Sequence, residues 1–552
     1  MGPDTYDYVI IGSGFGGSVA AMRLAEKGYR VVVLERGKRY RQHDFARSNW
    51  IAWKYLWAPM LRCFGILEIR PFRDVFVLQG CGVGGGSLGY ANVLMEPSDE
   101  LYQNPAWRHL QDWKSALAPH YQTARRMLGV TPNPRLGPAD EALRQVAAEL
   151  GTEASFQPTE VSLFFGDGQA PEQEVPDPYF GGEGPPRRAC NFCGGCMVGC
   201  RYNAKNTLDK NYLYFAEKWG AQVWPECTVH DVRPLPPGQP DGARYEVAYH
   251  RSTAVLKKPE RRVRACSVVL AAGTLGTLGL LFHCRDVSRS LPLISPRLGE
   301  MVRTNSEALL GATSRSNQID YSKGIAITSL IMADPVTAVE PVRYPAGSSL
   351  MRLLAGPLVD YAPNLALRFL KGLAQLLLHP IDALRTYLLP GWAQRTTILL
   401  VMQTVDSRLR LRPGRSLFTL FRRGLVSQPD EKQPIPGSLE IGHRVTRRFA
   451  AKIGGLAAGS INEGLLGIPL TAHILGGCPF GRDAAEGVVD LDCQVHNYPG
   501  LYVVDGSTVP ANPGINPSLT IAALAEYAME RVVAKKATPN PNSGSACRRT
   551  TT

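Results

Sequence analysis

Hydrophobic and polar positions along this chain fall into short blocks, and several apolar blocks end on glycine. Tyr8-Val9-Ile10-Ile11 is a β-branched run that stops at Gly12-Ser13-Gly14-Phe15-Gly16-Gly17. Val19, Ala20, Met22, Leu24 and Ala25 then recur at helical spacing, and a strand-like run from Tyr29 to Leu34 ends in Glu35. The pattern predicts a buried strand, a glycine turn, an amphipathic helix and a second strand. Val75-Phe76-Val77-Leu78 likewise leads into Gly80 to Gly89, six glycines in ten positions. Val268-Val269-Leu270-Ala271-Ala272 ends at Gly273, and Leu501-Tyr502-Val503-Val504 ends at Asp505-Gly506. Strands tipped by glycine at both ends of the chain point to an α/β protein.

Strand, glycine turn, helix, strand and acid in that order form a dinucleotide-binding pattern. Gly12 permits the tight turn, Gly14 lets main chain approach a pyrophosphate, and Gly17 lets the helix pack on the strand. The helix N-terminus then faces the phosphate charge, and Glu35 is placed to accept ribose hydroxyls, which disfavours a 2′-phosphate. This pattern alone leaves NAD and FAD open. The second glycine stretch can lie against a flat ligand because no side chain holds the backbone off.

Two polar residues stand out near the C-terminus. His473 lies in Thr471-Ala472-His473-Ile474-Leu475-Gly476-Gly477 and is one of only ten histidines, so it is either structural or a base suited to neutral pH. Asn516 stands at an N-cap position, with Pro517 as the first helical residue, before a helix whose small apolar face carries Ala522, Ala525 and Met529. The same helix start offers partial positive charge to an electron-rich ring.

Length and composition narrow the class. The 552 residues are 44% hydrophobic and 20% charged, which fits a folded, mostly soluble chain of more than one domain. The 61 Lys+Arg against 48 Asp+Glu leave +13, a balance suited to nucleic acid, an anionic surface or an acidic partner. No nucleic-acid module accompanies that charge. Four of twelve cysteines, Cys190, Cys193, Cys196 and Cys200, fall within eleven residues, while the scattered others read as reduced thiols. No secretory signal opens the sequence, and the expected location is cytoplasmic, with a peripheral membrane contact.

The segments GSGFGGSVAAMRLAEKGYRVVVLERG, GVGGGSLGYANVL, VVLAAGTLGTLGLL, LTAHILGGCPFG and LYVVDGSTVPANPGINPSLTIAALAE resemble the glucose-methanol-choline (GMC) flavin oxidoreductases. Within that family the chain looks like the bacterial cholesterol oxidase-like branch, over about Asp7 to Val533. The resemblance implies FAD and an α/β fold, with a Rossmann-like FAD-binding domain interleaved with a sheet-based substrate domain. The FAD-binding part is expected on 1–100, 201–304 and 485–535, and the substrate part on 101–200 and 305–484, with 536–552 a disordered tail. It implies FAD contacts at Gly12, Gly14, Phe15, Gly17, Glu35, Gly82, Gly84, Gly85, Ser87, Asn92, Gly273, Asp505, Gly506 and Pro517. His473 would be the active-site histidine and Asn516 its polar partner at the flavin edge. The reaction implied is oxidation of a bulky hydrophobic secondary alcohol, a 3β-hydroxysteroid foremost. Ser349 stands where isomerising relatives carry a glutamate, which leaves isomerase activity in doubt, with Glu307 and Glu340 nearby in sequence. Gly89 also replaces a polar residue of the flavin loop.

The Cys190–Cys200 spacing, Cys-x2-Cys-x2-Cys-x3-Cys, matches a 4Fe-4S or 3Fe-4S loop, with zinc and plain reduced thiols as the other readings. A cluster would favour a dehydrogenase acting on another lipophilic alcohol and feeding a redox protein such as a cytochrome, or a quinone; without one, oxygen is the acceptor. Residues 350–392 are rich in Leu, Ala and Arg, but charged residues interrupt every window long enough to span a membrane. Leu365, Phe369, Leu373, Leu376 and Leu377 fall on one helical face beside Arg368 and Lys371, which suits either a membrane interface or a core helix. Trp50, Trp53 and Trp57 form a second aromatic patch with the same two readings.

Overall fold

The computed structural model describes residues 5–535 except 167, 169, 255, 361–363, 379, 382–383 and 385–389. The expected tail, 536–552, lies outside the described residues, as do the side chains of Leu365 and Leu376.

The apolar blocks build two seven-stranded sheets. In the first, Thr5–Ile11 pairs in parallel with Val31–Leu34 on one side and Arg261–Leu270 on the other, with Ile11 opposite both Leu34 and Leu270. Val9 and Ile10 are fully buried, as expected of a parallel strand covered on both faces. The outer edge of Arg261–Leu270 is divided. Its first half pairs antiparallel with Tyr245–Arg251, and its last three residues pair in parallel with Leu501–Val503. This places the glycine turns after three parallel strands at one end of the sheet. The helices Phe15–Glu26, Trp113–Leu128 and Ser518–Glu530 pack together over it, and Trp113, Leu117 and Tyr121 join its core.

The second sheet is antiparallel throughout and runs Ala355–Pro357, Gly455–Ser460, Ala308–Ser314, Thr396–Gln403, Thr337–Val342, Ser329–Asp334, Gln157–Pro158. Its two faces divide by strand alternation. Leu310, Val339, Leu399 and Val401 pack against Leu143, Val146 and Phe449 of the helices Pro138–Leu150 and Glu440–Lys452. Leu309, Val342, Ile398 and Leu400 turn the other way and line a cavity. A short parallel pairing, Leu470 with Phe76 and Thr471 with Val77, ties the approach to His473 to the strand that carries the second glycine stretch.

Among the described residues no helix is long and apolar enough to cross a membrane. Leu365–Leu378 is a helix whose Phe369, Leu370, Leu373 and Leu377 are exposed, which departs from the core-helix reading. The tryptophan patch is divided: Trp57 is buried, while Trp50 and Trp53 are exposed.

Candidate active site

One cavity of about 720 Å³ joins the glycine end of the first sheet to the apolar face of the second. Of the flavin contacts expected, Gly12, Gly14, Phe15, Glu35 and Gly85 line it from the N-terminal side, and Gly273, Asp505, Gly506 and Pro517 from the C-terminal side. His473 and Asn516 line it as well. Gly17, Gly82, Gly84, Ser87 and Asn92 are not among its lining residues. Ser87 Oγ donates to Gly84 O at 2.6 Å and accepts from Leu208 N at 3.1 Å, so it pins the loop from behind.

The cradle fits an extended dinucleotide. A Cβ on Gly14 would meet nothing within 4 Å, so the main chain there is bare toward the cavity. Gly16 does the opposite work, and the sequence pattern assigned it nothing: a Cβ there would lie 1.6 Å from Val504 O, where the helix start meets the Leu501–Val503 strand. Glu35 is buried and already engaged, because its Oε2 accepts from Ser13 N at 3.0 Å and Ser13 Oγ at 2.6 Å, and Oε1 from Gly37 N at 2.7 Å. A carboxylate has about four lone-pair sites, so capacity remains for a ribose hydroxyl. Ser13 is a residue that sequence reasoning missed. Its Oγ also accepts from Gly84 N at 3.1 Å, linking both glycine loops. Asp505 accepts from Thr277 Oγ1 and from Ser507 N and Oγ, and burial pushes its carboxyl up.

The polar end of the cavity is held by one short run, Asn305-Ser306-Glu307. Asn305 and Ser306 both have positive φ, 58° and 43°. Asn305 Nδ2 donates to Ile515 O at 3.0 Å, and its Oδ1 accepts from Gly514 N at 2.9 Å, so it fixes the turn that presents Asn516. Glu307 is buried and lies under His473, with its Oε2 3.0 Å from Nδ1, though off the angle of a formed hydrogen bond. Glu307 also accepts from Thr471 Oγ1 at 2.9 Å, and Thr471 Oγ1 accepts from His473 N at 2.9 Å. Asn516 does not cap its helix. Pro517 occupies the cap position without a side-chain hydrogen bond, and Asn516 Oδ1 is buried without a partner. Glu340, fully buried beside Asn516, is pushed up to about 8 by burial, against a smaller opposing influence of Asn516. Ser349 does not line the cavity, and its Oγ accepts from Ala393 N at 3.4 Å.

The metal reading of Cys190, Cys193, Cys196 and Cys200 finds no support in the fold. Among the described residues, no group of three or more His, Cys, Asp or Glu side chains could hold a metal ion. The physical reason is packing: Cys190 and Cys196 are built into an apolar cluster with Val93, Val161 and Ile325. Burial raises the thiols of Cys190 and Cys196 and moves Cys193 up to about 11. The loop backs the cradle instead. Lys205 Nζ donates to the carbonyls of Leu88 at 3.1 Å, Tyr90 at 2.8 Å and Cys196 at 2.9 Å, fastening it to the second glycine stretch.

Comparison with known proteins agrees with this geometry. Residues 7–330 match the FAD dependent oxidoreductase family and residues 467–525 the GMC oxidoreductase family. A cholesterol oxidase of Mycobacterium tuberculosis is 47% identical over 545 residues, covering 96% of this chain and 91% of that one. A cholesterol oxidase of Acinetobacter baumannii is 44% identical over 532 residues, covering 96% and 95%. Among solved structures, pyridoxine 4-oxidase from Mesorbium loti shares the fold, with a TM-score of 0.58 at 18% identity over 95% of this chain and 98% of that one.

Proposed function

The chain belongs to the GMC oxidoreductases, FAD-dependent enzymes, and we propose from that premise that it oxidises the hydroxyl of a sterol, a 3β-hydroxysteroid, to the ketone. The observation that carries this reading is the continuity of the cavity. Its glycine end suits a dinucleotide, its other end is walled by Leu309, Ile327, Val342, Ile398 and Leu400, and His473 and Asn516 also line it. A rigid apolar ring system fits such a wall, because burying its surface needs no polar partners beyond the single hydroxyl. Two relatives at 44–47% identity are cholesterol oxidases, which favours a sterol over other lipophilic alcohols.

FAD, when bound, supplies the two-electron acceptor and returns those electrons to oxygen. The protein's own part is proton handling and orientation. His473 takes the hydroxyl proton at Nε2, because Nδ1 is turned to the Glu307 carboxylate. Glu307 stabilises the imidazolium that forms and, through Thr471, keeps the ring from swinging out. Asn516 holds the substrate oxygen with its amide, from a turn that Asn305 fixes at both ends. Closing the site between two sheets keeps water from the reacting carbon. The same two relatives favour this reading over a dehydrogenase route through a cluster to a cytochrome or quinone.

The two-part division is read the same way. The first sheet draws its strands from 1–100, 201–304 and 485–535, and the second from 101–200 and 305–484. Exposed Trp50 and Trp53 belong to a segment that Ser48 and Asn49 fasten to Gly347–Leu350, one residue before cavity-lining Met351. We read this rim as a peripheral lipid contact through which an apolar substrate enters. Trp53→Glu then weakens cosedimentation with anionic vesicles; unchanged binding rejects the rim.

The functional reading is tested by adding cholesterol anaerobically to the flavin-loaded protein. Loss of the oxidised flavin absorption, restored by air with formation of hydrogen peroxide, is expected. Reduction by a long-chain primary alcohol but not by any 3β-hydroxysteroid overturns it.

A further inference from the structure

The apolar wall of the cavity ends in polar groups that the oxidation above leaves unused. From Glu340, beside Asn516, the chain passes through cavity-lining Val342 to Tyr344, four residues and at most about 14 Å away. There it meets Tyr55 of the Ala52–Tyr55 helix, and both tyrosines are buried and line the cavity. Their hydroxyl oxygens stand 3.5 Å apart, long for an O–H···O bond, and neither has another partner among the described residues. Trp392 packs with Tyr344 and with cavity-lining Met351 and Ile398, and its Nε1 is buried without an acceptor.

This end of the cavity holds a surplus of donors. Burial pushes both phenols above the ordinary tyrosine range, so each keeps its hydrogen at neutral pH. One hydroxyl can donate to the other, but the second hydrogen and the Trp392 N–H then have no acceptor from the fold. A hydrocarbon tail pressed against the hydroxyls leaves that cost standing, whereas a carbonyl oxygen relieves it. Resting on the alcohol oxidation read above, we propose that Tyr55 and Tyr344 form a second polar subsite, which selects 3β-hydroxysteroids carrying a carbonyl oxygen at the D-ring end.

With its 3-hydroxyl at His473 and Asn516, a steroid lies along Leu309, Val342, Ile398 and Leu400, and its D ring comes to the tyrosine end. The rigid rings hold the two oxygens at a fixed separation, so reaching both polar ends freezes no rotatable bond. An open-chain alcohol loses rotamer freedom to do the same. Tyr55 itself is held in place. Its segment is fastened by Ser48 Oγ, which donates to Gly347 O at 2.6 Å, and by Asn49 Oδ1, which accepts from Leu350 N at 3.0 Å, shortly after Tyr344 in the chain. Because the far oxygen is unchanged between substrate, transition state and product, its hydrogen bond acts on binding and not on the chemical step.

The experiment is anaerobic reduction of the flavin-loaded protein by two steroids that differ at one carbon, androst-5-en-3β-ol and its 17-ketone. Wild type is compared with the double variant Tyr55→Phe/Tyr344→Phe. In the wild type the ketone binds about tenfold more tightly, as neutral hydrogen bonds to one oxygen give, while the limiting rates of reduction agree. In the double variant the preference is lost, chiefly through weaker binding of the ketone. Equal affinity of the wild type for the two steroids overturns the proposal, and so does a preference that survives in the double variant. The wild-type comparison needs no substitution, so it decides even where phenylalanine disturbs folding. A third steroid, androst-5-en-17-one, has no hydroxyl to oxidise, and its binding is read from the perturbed flavin absorption. Tighter binding of it to wild type than to the double variant, in a protein that no 3β-hydroxysteroid reduces, would uphold the subsite and overturn only the alcohol reading.

Discussion

Glu307 Oε2 lies 3.0 Å from His473 Nδ1, and the same carboxylate accepts from the Thr471 hydroxyl two residues before the histidine. One buried acid therefore faces the ring and holds the backbone that carries it. His473→Ala is expected to cut kcat by about 10²–10⁴-fold while the flavin stays bound, as removal of a general base does. Glu307→Gln removes the charge but keeps the shape, and a smaller drop in kcat at nearly constant KM is expected. Stopped-flow flavin reduction measures both; sterol-dependent reduction at wild-type rate in His473→Ala would refute the assignment of the base.

Asn305 reaches the other side of the site, and its substitution separates positioning from proton transfer. Asn305→Ala leaves Gly514 N and Ile515 O without their partner, at a cost of about 1–3 kcal/mol in stability. Because the freed turn carries Asn516, KM for sterol should rise along with a fall in kcat. Steady-state kinetics beside a thermal melt check this, and a melt that shifts with unchanged kinetics would limit Asn305 to a structural role.

The two glycines of the first turn should fail differently. Gly16→Ala drives a methyl into Val504 O and should yield little folded protein. Gly14→Ala has room for its methyl in the fold itself, so the protein should fold but lose flavin, since the methyl occupies the bare face of the cradle. The ratio of flavin to protein after purification, read beside circular dichroism, tells the two apart.

Folding stability should carry the mark of Glu340. Its carboxyl titrates near 4.5 unfolded and about 8 folded, so between those values the native state holds a proton that the unfolded chain has lost. Stability from this group is complete below pH 4.5 and declines toward pH 8 at up to about 1.4 kcal/mol per unit. Urea melts across that window should be steeper in pH for the wild type than for Glu340→Leu. Equal slopes would mean the carboxyl is ionised in the native state.

The thiols offer a direct chemical check. With Cys193 up to about 11 and Cys190 and Cys196 raised by burial, iodoacetamide should label them slowly in native protein at neutral pH and fully after unfolding. Mass spectrometry of the peptides reads this. Rapid native labelling, or stoichiometric iron in anaerobically purified protein, would reverse the packing account.

Sequence alone carried the first βαβ unit and the separate glycine-tipped strands, because a buried parallel strand and a close backbone approach each demand particular residues at particular spacings. Gly12, Gly14, Glu35, Gly273 and Asp505 could be read that way, and the motifs around His473 and Asn516 singled those two out. The cysteine spacing has a matching limit: proximity in sequence fixes which thiols are neighbours, but only the fold packs Cys190 and Cys196 among Val93, Val161 and Ile325. Gly16 and Ser13 escaped notice because what they touch, Val504 and Gly84, lies far along the chain. The same holds for the site's polar support. Glu307, Asn305 and Glu340 carry no local signature, since a carboxylate in a strand reads as ordinary until the fold buries it. Their roles come from two sheets, built on interleaved stretches of chain, closing over one cavity and stripping water from whatever lies between.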